Sequence, residues 1–264
     1  MKNRQLAALT VAAMFLGGGA LAPESAAQTR EWKTVRIGTE GAYPPFNNLN
    51  AKGEIEGFEI DYAKALCGKM NVTCSFIAED WDTIIPGLLA GKYDVIIAAM
   101  SITAERRKQV DFSKSYAVIP PAFIAARQVA ATTDVSPAAL RGKTIGAQAA
   151  TIHADFLEKR YAGSSITLYH TQDEANLDLA NGRLDYVVAD KTVLIDFLAG
   201  KGKDCCRHVA DVTPETEIHG DGIGMAFRKE DAHLRALFDK AIEESLRDGT
   251  HEKAAARWFS IKLM

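Results

Sequence analysis

The chain has 264 residues and a mass of 28.6 kDa, with 47% hydrophobic and 25% charged residues, 20 Gly and 8 Pro. That composition excludes disorder, collagen and coiled coil, and allows one large domain or two lobes, each able to bury a core. Lys plus Arg total 31 against 34 Asp plus Glu, which leaves no positive surplus for a phosphate backbone, so no nucleic-acid partner is expected.

The first residues carry Lys2 and Arg4, an apolar run from Leu6 to Leu16, a Gly17-Gly18-Gly19 break, and Ser25-Ala26-Ala27 before Gln28. This is the pattern of a secretory signal peptide, because the run falls short of the ~20 residues that span a bilayer and small residues precede the cleavage point. Residues 1–27 are expected to be removed, so the mature chain starts near Gln28. No later segment approaches the ~18 uninterrupted apolar residues of a membrane span, so no direct membrane insertion is expected. The first cysteine is Cys67, which leaves no N-terminal cysteine for a lipid anchor.

Export implies an oxidising compartment, and the four cysteines fall into two local pairs, Cys67 with Cys74 and the adjacent Cys205-Cys206. A Cys67–Cys74 disulfide is the first expectation, with two buried thiols as the alternative. Cys205 and Cys206 are open to a vicinal disulfide, an intermolecular pair or free thiols. Without His or Cys partners at suitable spacing they do not make a metal site.

In chain order, Val35-Arg36-Ile37-Gly38 is a strand signal ending in Gly, and Phe58 to Leu66 has apolar positions at helical spacing. Val72 to Ile77 is predicted as a strand, Trp81 to Ala90 as a helix stopped by Gly91, and Asp94 to Ala99 as a buried strand. This βαβαβ order predicts a mostly parallel sheet flanked by helices. The second half repeats it. Lys143-Thr144-Ile145-Gly146 echoes Lys33 to Gly38, and Asn181-Gly182-Arg183-Leu184-Asp185-Tyr186-Val187-Val188-Ala189 echoes Ala90 to Ala98, in the same order. Two similar α/β lobes are therefore expected. Between them Val118 to Ile124, kept from helix by Pro120-Pro121, is an extended crossing strand. The chain is expected to cross back near Glu217 to Gly224, and the helices Asp231 to Asp248 and His251 to Trp258 are assigned to the first lobe. The predicted boundaries are 28–118 with 222–264 for lobe 1 and 119–221 for lobe 2.

Four segments carry a family likeness: Ile37-Gly38-Thr39-Glu40-Gly41-Ala42-Tyr43-Pro44-Pro45-Phe46, Gly57-Phe58-Glu59-Ile60-Asp61, Met100-Ser101-Ile102-Thr103-Ala104-Glu105-Arg106, and Asp111-Phe112-Ser113-Lys114-Ser115-Tyr116. In this order the chain resembles the periplasmic solute-binding proteins of ABC importers for polar amino acids, the group that includes lysine/arginine/ornithine-, histidine- and opine-binding proteins. The resemblance implies the two-lobe periplasmic binding protein fold (type II), a location in the periplasm, a membrane permease as partner, a monomer, and no cofactor. It also implies the Cys67–Cys74 disulfide of the basic amino-acid binders.

A buried α-amino acid needs a fixed cation for its carboxylate and an anion for its ammonium, because either charge left unpaired costs several kcal/mol. By the resemblance, Arg106 takes the carboxylate, a bidentate match for a guanidinium, with Ser101 and Thr103 as added donors. The alternatives are a solvated helix charge for Arg106 and a plain N-cap for Thr103. Asp190 takes the α-ammonium, its alternative being an N-cap for the helix Lys191 to Leu198. Thr151 offers a further donor, in a loop that reads Gln148-Ala149-Ala150-Thr151-Ile152 where relatives often carry Gly and paired hydroxyls. Glu40 meets the ligand's distal cation, with Tyr43 and Trp81 as aromatic walls over its stem.

Two departures bear on the ligand. Glu40 is longer than the Asp typical of lysine/arginine/ornithine binders, and Ala98-Ala99 replaces a hydroxyl-bearing pair. Together with Gln148 these features are similar to the opine binders, so a cationic amino acid or its opine conjugate is the expected ligand. The rivals are an exported enzyme of the same fold, such as a cyclohexadienyl dehydratase, and a ligand sensor whose closed form docks on a signalling receptor rather than a permease. No nucleophile–base pair, metal-ligand cluster or phosphate loop is apparent in the sequence, so the protein is expected not to be an enzyme. His153 and His219 are placed within reach of the cleft, with solvated or capping roles as the favoured reading.

Overall fold

The computed structural model describes residues 31–263. The expected signal peptide and its cleavage point lie outside the described residues. From Glu31 onward the chain forms one compact unit.

Along the chain, β1 (Thr34–Thr39) leads into a small antiparallel sheet of β2 (Ala42–Tyr43), β3 (Asn47–Leu49) and β4 (Ile55–Glu56). Helix α1 (Phe58–Met70) follows, then β5 (Thr73–Ala78), α2 (Ile84–Leu89), β6 (Val95–Ile96), α3 (Ala104–Arg107) and β7 (Asp111–Phe112). The second half runs β8 (Pro121–Ala126), β9 (Thr144–Gln148), α4 (Ile152–Arg160), β10 (Ser165–Tyr169), α5 (Gln172–Ala180), β11 (Tyr186–Asp190), α6 (Lys191–Ala199) and β12 (Cys206–Asp211). The chain closes with α7 (Thr216–His219), β13 (Ala226–Phe227), α8 (Ala232–Arg247) and α9 (Thr250–Ala255).

Two five-stranded sheets result, ordered β5-β1-β6-β13-β7 and β10-β9-β11-β8-β12. The repeat seen in the sequence has a structural counterpart, since β5-β1-β6 and β10-β9-β11 are the same parallel arrangement. Two details show why the echo residues recur. Asp94 Oδ2 accepts from the Arg36 N–H at 3.0 Å, and Asp185 Oδ2 accepts from the Thr144 N–H at 2.9 Å, so in each lobe a carboxylate ties the third strand to the start of the first. Likewise a Cβ on Gly38 would sit 2.6 Å from the Tyr93 ring, and one on Gly146 would sit 2.4 Å from Leu184 Cδ1. The strand must be bare there because the residue before each aspartate packs flat against it.

Each sheet is mostly parallel, as expected, with four strands running one way and a single reversed strand inserted among them. Both β8 and β13 pair only antiparallel with their neighbours. The reason is topological: each lobe receives a segment arriving from the other lobe, and that segment joins the sheet in the reverse direction. The crossing run read over Val118–Ile124 thus becomes an inner strand beginning at Pro121, whose missing N–H falls at the strand's first residue. The helix read over Trp81–Ala90 is divided into a 3₁₀ turn, Trp81–Thr83, and α2. The buried run Asp94–Ala99 is a strand only over Val95–Ile96, because Ala99 adopts φ 48°.

One core gathers Val35, Ile37, Phe58, Leu66 and Tyr116 with Leu234, Phe238 and Ile242 of α8. The C-terminal helices therefore pack over the first sheet. Two further clusters lie on either side of the second sheet, around Phe123, Ile145 and Leu157, and around Ile124, Leu179 and Val187. Cys67 and Cys74 are disulfide-bonded, joining the end of α1 to β5, and Cys205 and Cys206 are bonded to each other.

Candidate functional site

The candidate residues sit at the C-terminal ends of the parallel strands, where the two sheets face one another. This is where an open α/β sheet leaves room for a ligand. A cavity of about 310 Å³ is lined there by Glu40, Tyr43, Trp81, Ala98, Ala99, Ser101, Arg106, Gln148, Thr151, Ile152, His153 and Asp190. The walls come from both sheets. Glu40 follows β1, Tyr43 lies on β2, and Ala98 to Arg106 follow β6. Gln148 and Asp190 end β9 and β11.

Side-chain hydrogen bonds cross the gap between the two sets. Tyr43 Oη donates to Asp190 Oδ2 at 2.9 Å, Gln148 Nε2 donates to Glu40 Oε1 at 2.5 Å, and Trp81 Nε1 donates to the Ala150 carbonyl at 2.9 Å. The two halves are thus drawn together around the cavity.

The charges are placed in opposition. The half-buried guanidinium of Arg106 lies 5.1 Å from the centre of the Trp81 ring, and its Nη1 donates to the Ser101 carbonyl at 3.0 Å. Burial pushes its pKa down to about 10, so it is cationic at neutral pH. Its side chain lines the cavity. Asp190 begins α6 but makes no side-chain capping bond, which leaves its carboxylate to Tyr43 and the cavity. Glu40 is 8% exposed, and burial raises its pKa to about 7 despite the hydrogen bond from Gln148. Its neighbour Tyr43 is pushed well above the usual phenol value by burial and by Asp190.

Thr103 is the one expected residue away from the cavity wall. Its hydroxyl accepts from the Arg106 N–H at 3.2 Å and caps α3. Thr151 caps α4 in the same way, accepting from the Ala154 N–H, while still lining the cavity. Ile152 and His153 also reach the wall. His153 is 3% exposed, with Nε2 3.6 Å from Asp190 Oδ1, and His219 is 5% exposed, so neither is solvated. Only the register of α4 placed His153 there: it is the second residue after a capping threonine at a cavity-facing helix start.

Beneath the site, Glu59 is fully buried. Its carboxylate accepts from the Ala99 N–H at 2.7 Å, from Asn47 Nδ2 at 2.8 Å and from the Tyr116 hydroxyl. Asn47 Oδ1 in turn accepts from the Gly41 N–H at 2.7 Å. Ala99 occupies the left-handed region, which costs an L-residue roughly 1–2 kcal/mol, and the bond to Glu59 holds it there. One buried acid thus fixes both the Glu40–Gly41 loop and the Ala98-Ala99 wall. Glu59→Leu strands these donors in the core and is expected to lower unfolding free energy by at least about 2 kcal/mol, measured by urea denaturation. An unchanged midpoint would show that the network bears no load.

A cavity of this chemistry between two mixed α/β sheets defines a two-lobed solute-binding protein with the type II periplasmic binding fold. The chain belongs to the bacterial extracellular solute-binding proteins, family 3, which it matches over residues 35–261. It is similar to the lysine/arginine/ornithine-binding periplasmic protein of Escherichia coli, with 38% identity over 88% of this chain and 89% of that protein. It is also similar to the octopine-binding periplasmic protein of Rhizobium meliloti, with 34% identity over 97% of this chain and 98% of that one. Among solved structures, a periplasmic His/Glu/Gln/Arg/opine family-binding protein from Silicibacter pomeroyi in complex with lysine matches with a TM-score of 0.76. Its sequence identity is 36%, over 87% of this chain and 99% of that chain.

Proposed function

We propose that the chain is the substrate-binding component of an ABC amino-acid importer. Its ligand is a cationic amino acid (arginine, lysine, ornithine or histidine) or an arginine-derived opine. The observation that carries this reading is the presence of Arg106, Asp190 and Glu40 in one cavity, a cation and two carboxylates against the α-carboxylate, the α-ammonium and the distal cation that these ligands share. Arg106 takes the α-carboxylate with Ser101 and Thr151, and Asp190 takes the α-ammonium. Glu40, walled by Trp81 and Tyr43 and steadied by Gln148, takes the distal cation. Ala98 and Ala99 leave room for a larger ligand, and Thr103 supports the helix that presents Arg106.

The lobes, 28–118 with 222–264 and 119–221, close about the two crossing segments. Ligand contacts made only across the gap favour the closed form. The exported protein works in the periplasm as a monomer and presents its closed form to a membrane permease.

Calorimetric titration of refolded, ligand-stripped protein from Gln28 onward tests this. The panel is arginine, lysine, ornithine, histidine, octopine, nopaline, glutamine and glutamate. A cationic member is expected to bind tightly; binding of neutral or acidic members alone would overturn the distal-cation reading. The enzyme alternative instead requires turnover of prephenate or arogenate.

Glu40 adds a pH signature. Its raised pKa leaves it partly protonated near pH 7 in the unliganded protein, and a distal cation favours the ionised form, so binding releases a proton. Arginine affinity is therefore expected to rise with pH, by up to about tenfold per unit below 7, and to level off above 8. The Glu40→Gln variant should have a flat profile over this range. An equal slope in both proteins would assign the proton elsewhere.

A further inference from the structure

Helix α6 starts from Asp190, and the apolar side chains that follow divide between two cores. Leu194 and Phe197 pack on their own sheet, in the cluster around Ile124, Leu179 and Val187. Val193 does not. It is 3% exposed and belongs to the apolar cluster of the first sheet, with Tyr43, Phe46 and Phe58. Among the described residues it is the only member of that cluster that lies between β8 and β12.

Hollows open on both sides of this contact. One, of about 500 Å³, is lined by Val193 and Phe197 of α6 and by Ala42 and Pro44 of the first half. The other, of about 540 Å³, is lined by Thr192 and Ile195 of α6 and by Pro45, Phe259 and Ile261. The helix therefore meets the first half along a narrow ridge, and Val193 is the side chain that reaches the opposing core. It is not on the wall of the ligand cavity.

We propose that Val193 is an apolar knob that holds the two lobes closed, a positioning residue that sets affinity without touching the ligand. The proposal rests on the hinge closure given under Proposed function. Opening carries α6 away from the Pro44-Pro45 loop and returns the isopropyl group to water, so its burial favours the closed form alone. The population of the closed form enters the apparent affinity as a common factor, whatever the ligand. Val193 follows Asp190 within the first turn of α6, so the apolar seam and the ammonium contact form in one movement.

The test is calorimetric titration and stopped-flow dissociation of the unaltered protein, Val193→Ala and Val193→Thr, with the panel given above. Alanine removes two buried carbons and favours the helix, whereas threonine keeps the shape and adds a hydroxyl to the seam. Each variant is expected to lose about tenfold in affinity, which is about 1.4 kcal/mol. The loss should be the same on every panel member that the unaltered protein binds and should come from faster dissociation. The ligand-free melting temperature should stay unchanged, because the open form leaves Val193 in water. Unchanged affinity with a lowered ligand-free melting temperature would show that Val193 is seated in the first core at all times, and overturns the proposal. A loss confined to some ligands would make Val193 a ligand contact, and overturns it as well. Binding of no panel member by the unaltered protein overturns the amino-acid reading itself and the closure role with it.

Discussion

Replacing Arg106 by alanine is expected to lower the affinity for an α-amino acid ligand by at least about a hundredfold while leaving the far-UV circular dichroism unchanged. Removing one partner of a buried, hydrogen-bonded charge pair costs about 2–5 kcal/mol, and each 1.4 kcal/mol is tenfold in affinity. The ligand carboxylate would then enter a cavity with no cation to meet it, since Arg106 is the only Lys or Arg on the wall among the described residues. The fold should tolerate the change, because the side chain donates one hydrogen bond, to the Ser101 carbonyl, and stacks on a partly exposed Trp81. Titration of the variant with arginine decides it. Affinity near that of the unaltered protein would remove Arg106 from the carboxylate site, whatever the cavity's shape.

Asp190→Asn is the second large effect. The substitution keeps size and hydrogen bonding, and the Asn carbonyl oxygen still accepts from the Tyr43 hydroxyl, which now donates to Asp190 Oδ2 at 2.9 Å. What disappears is the charge opposite the α-ammonium, so a loss of about a hundredfold is again expected, with an unchanged melting temperature. If Asp190 served only to begin α6, the variant would bind normally. The absence of a capping bond from its side chain favours the ligand role. The effect should hold across cationic, neutral and acidic α-amino ligands, which separates Asp190 from Glu40, whose loss should weaken cationic ligands selectively.

Much of this site is legible in one dimension because its residues fall in short motifs after strand ends. Glu40 and Tyr43 follow β1, Ser101 and Arg106 follow β6, and Gln148 and Thr151 follow β9, so a correct strand order places them together. The echo of Gly and Asp in the two halves marks the same arrangement, since each aspartate closes its lobe's first and third strands through one hydrogen bond. His153 and His219 were legible as histidines near the cleft, but solvated or capping roles were favoured, and both are buried. Their burial depends on α4 and α7 packing against each other, and nothing in the local sequence encodes that contact.

By itself the sequence determined the α/β class, the two-fold repetition, the cysteine pairing in the first half and the identity of most cavity-lining residues. The class and the repetition follow from hydrophobic periodicity and short-range spacing, whereas the site residues follow from the motifs shared with the binding-protein family, which also supports the cysteine pairing expected of an exported chain. Only the tertiary structure decided that each sheet takes in one reversed strand, because the direction of β8 and β13 depends on where each crossing segment docks. It also decided that Thr103 turns away to cap a helix, that Glu59 braces two cavity walls from below, and that Glu40 is buried deeply enough for its pKa to reach about 7. Burial and hydrogen bonding between residues tens to more than a hundred positions apart are sums over the whole packed chain. They come into being only once both sheets have formed and faced each other.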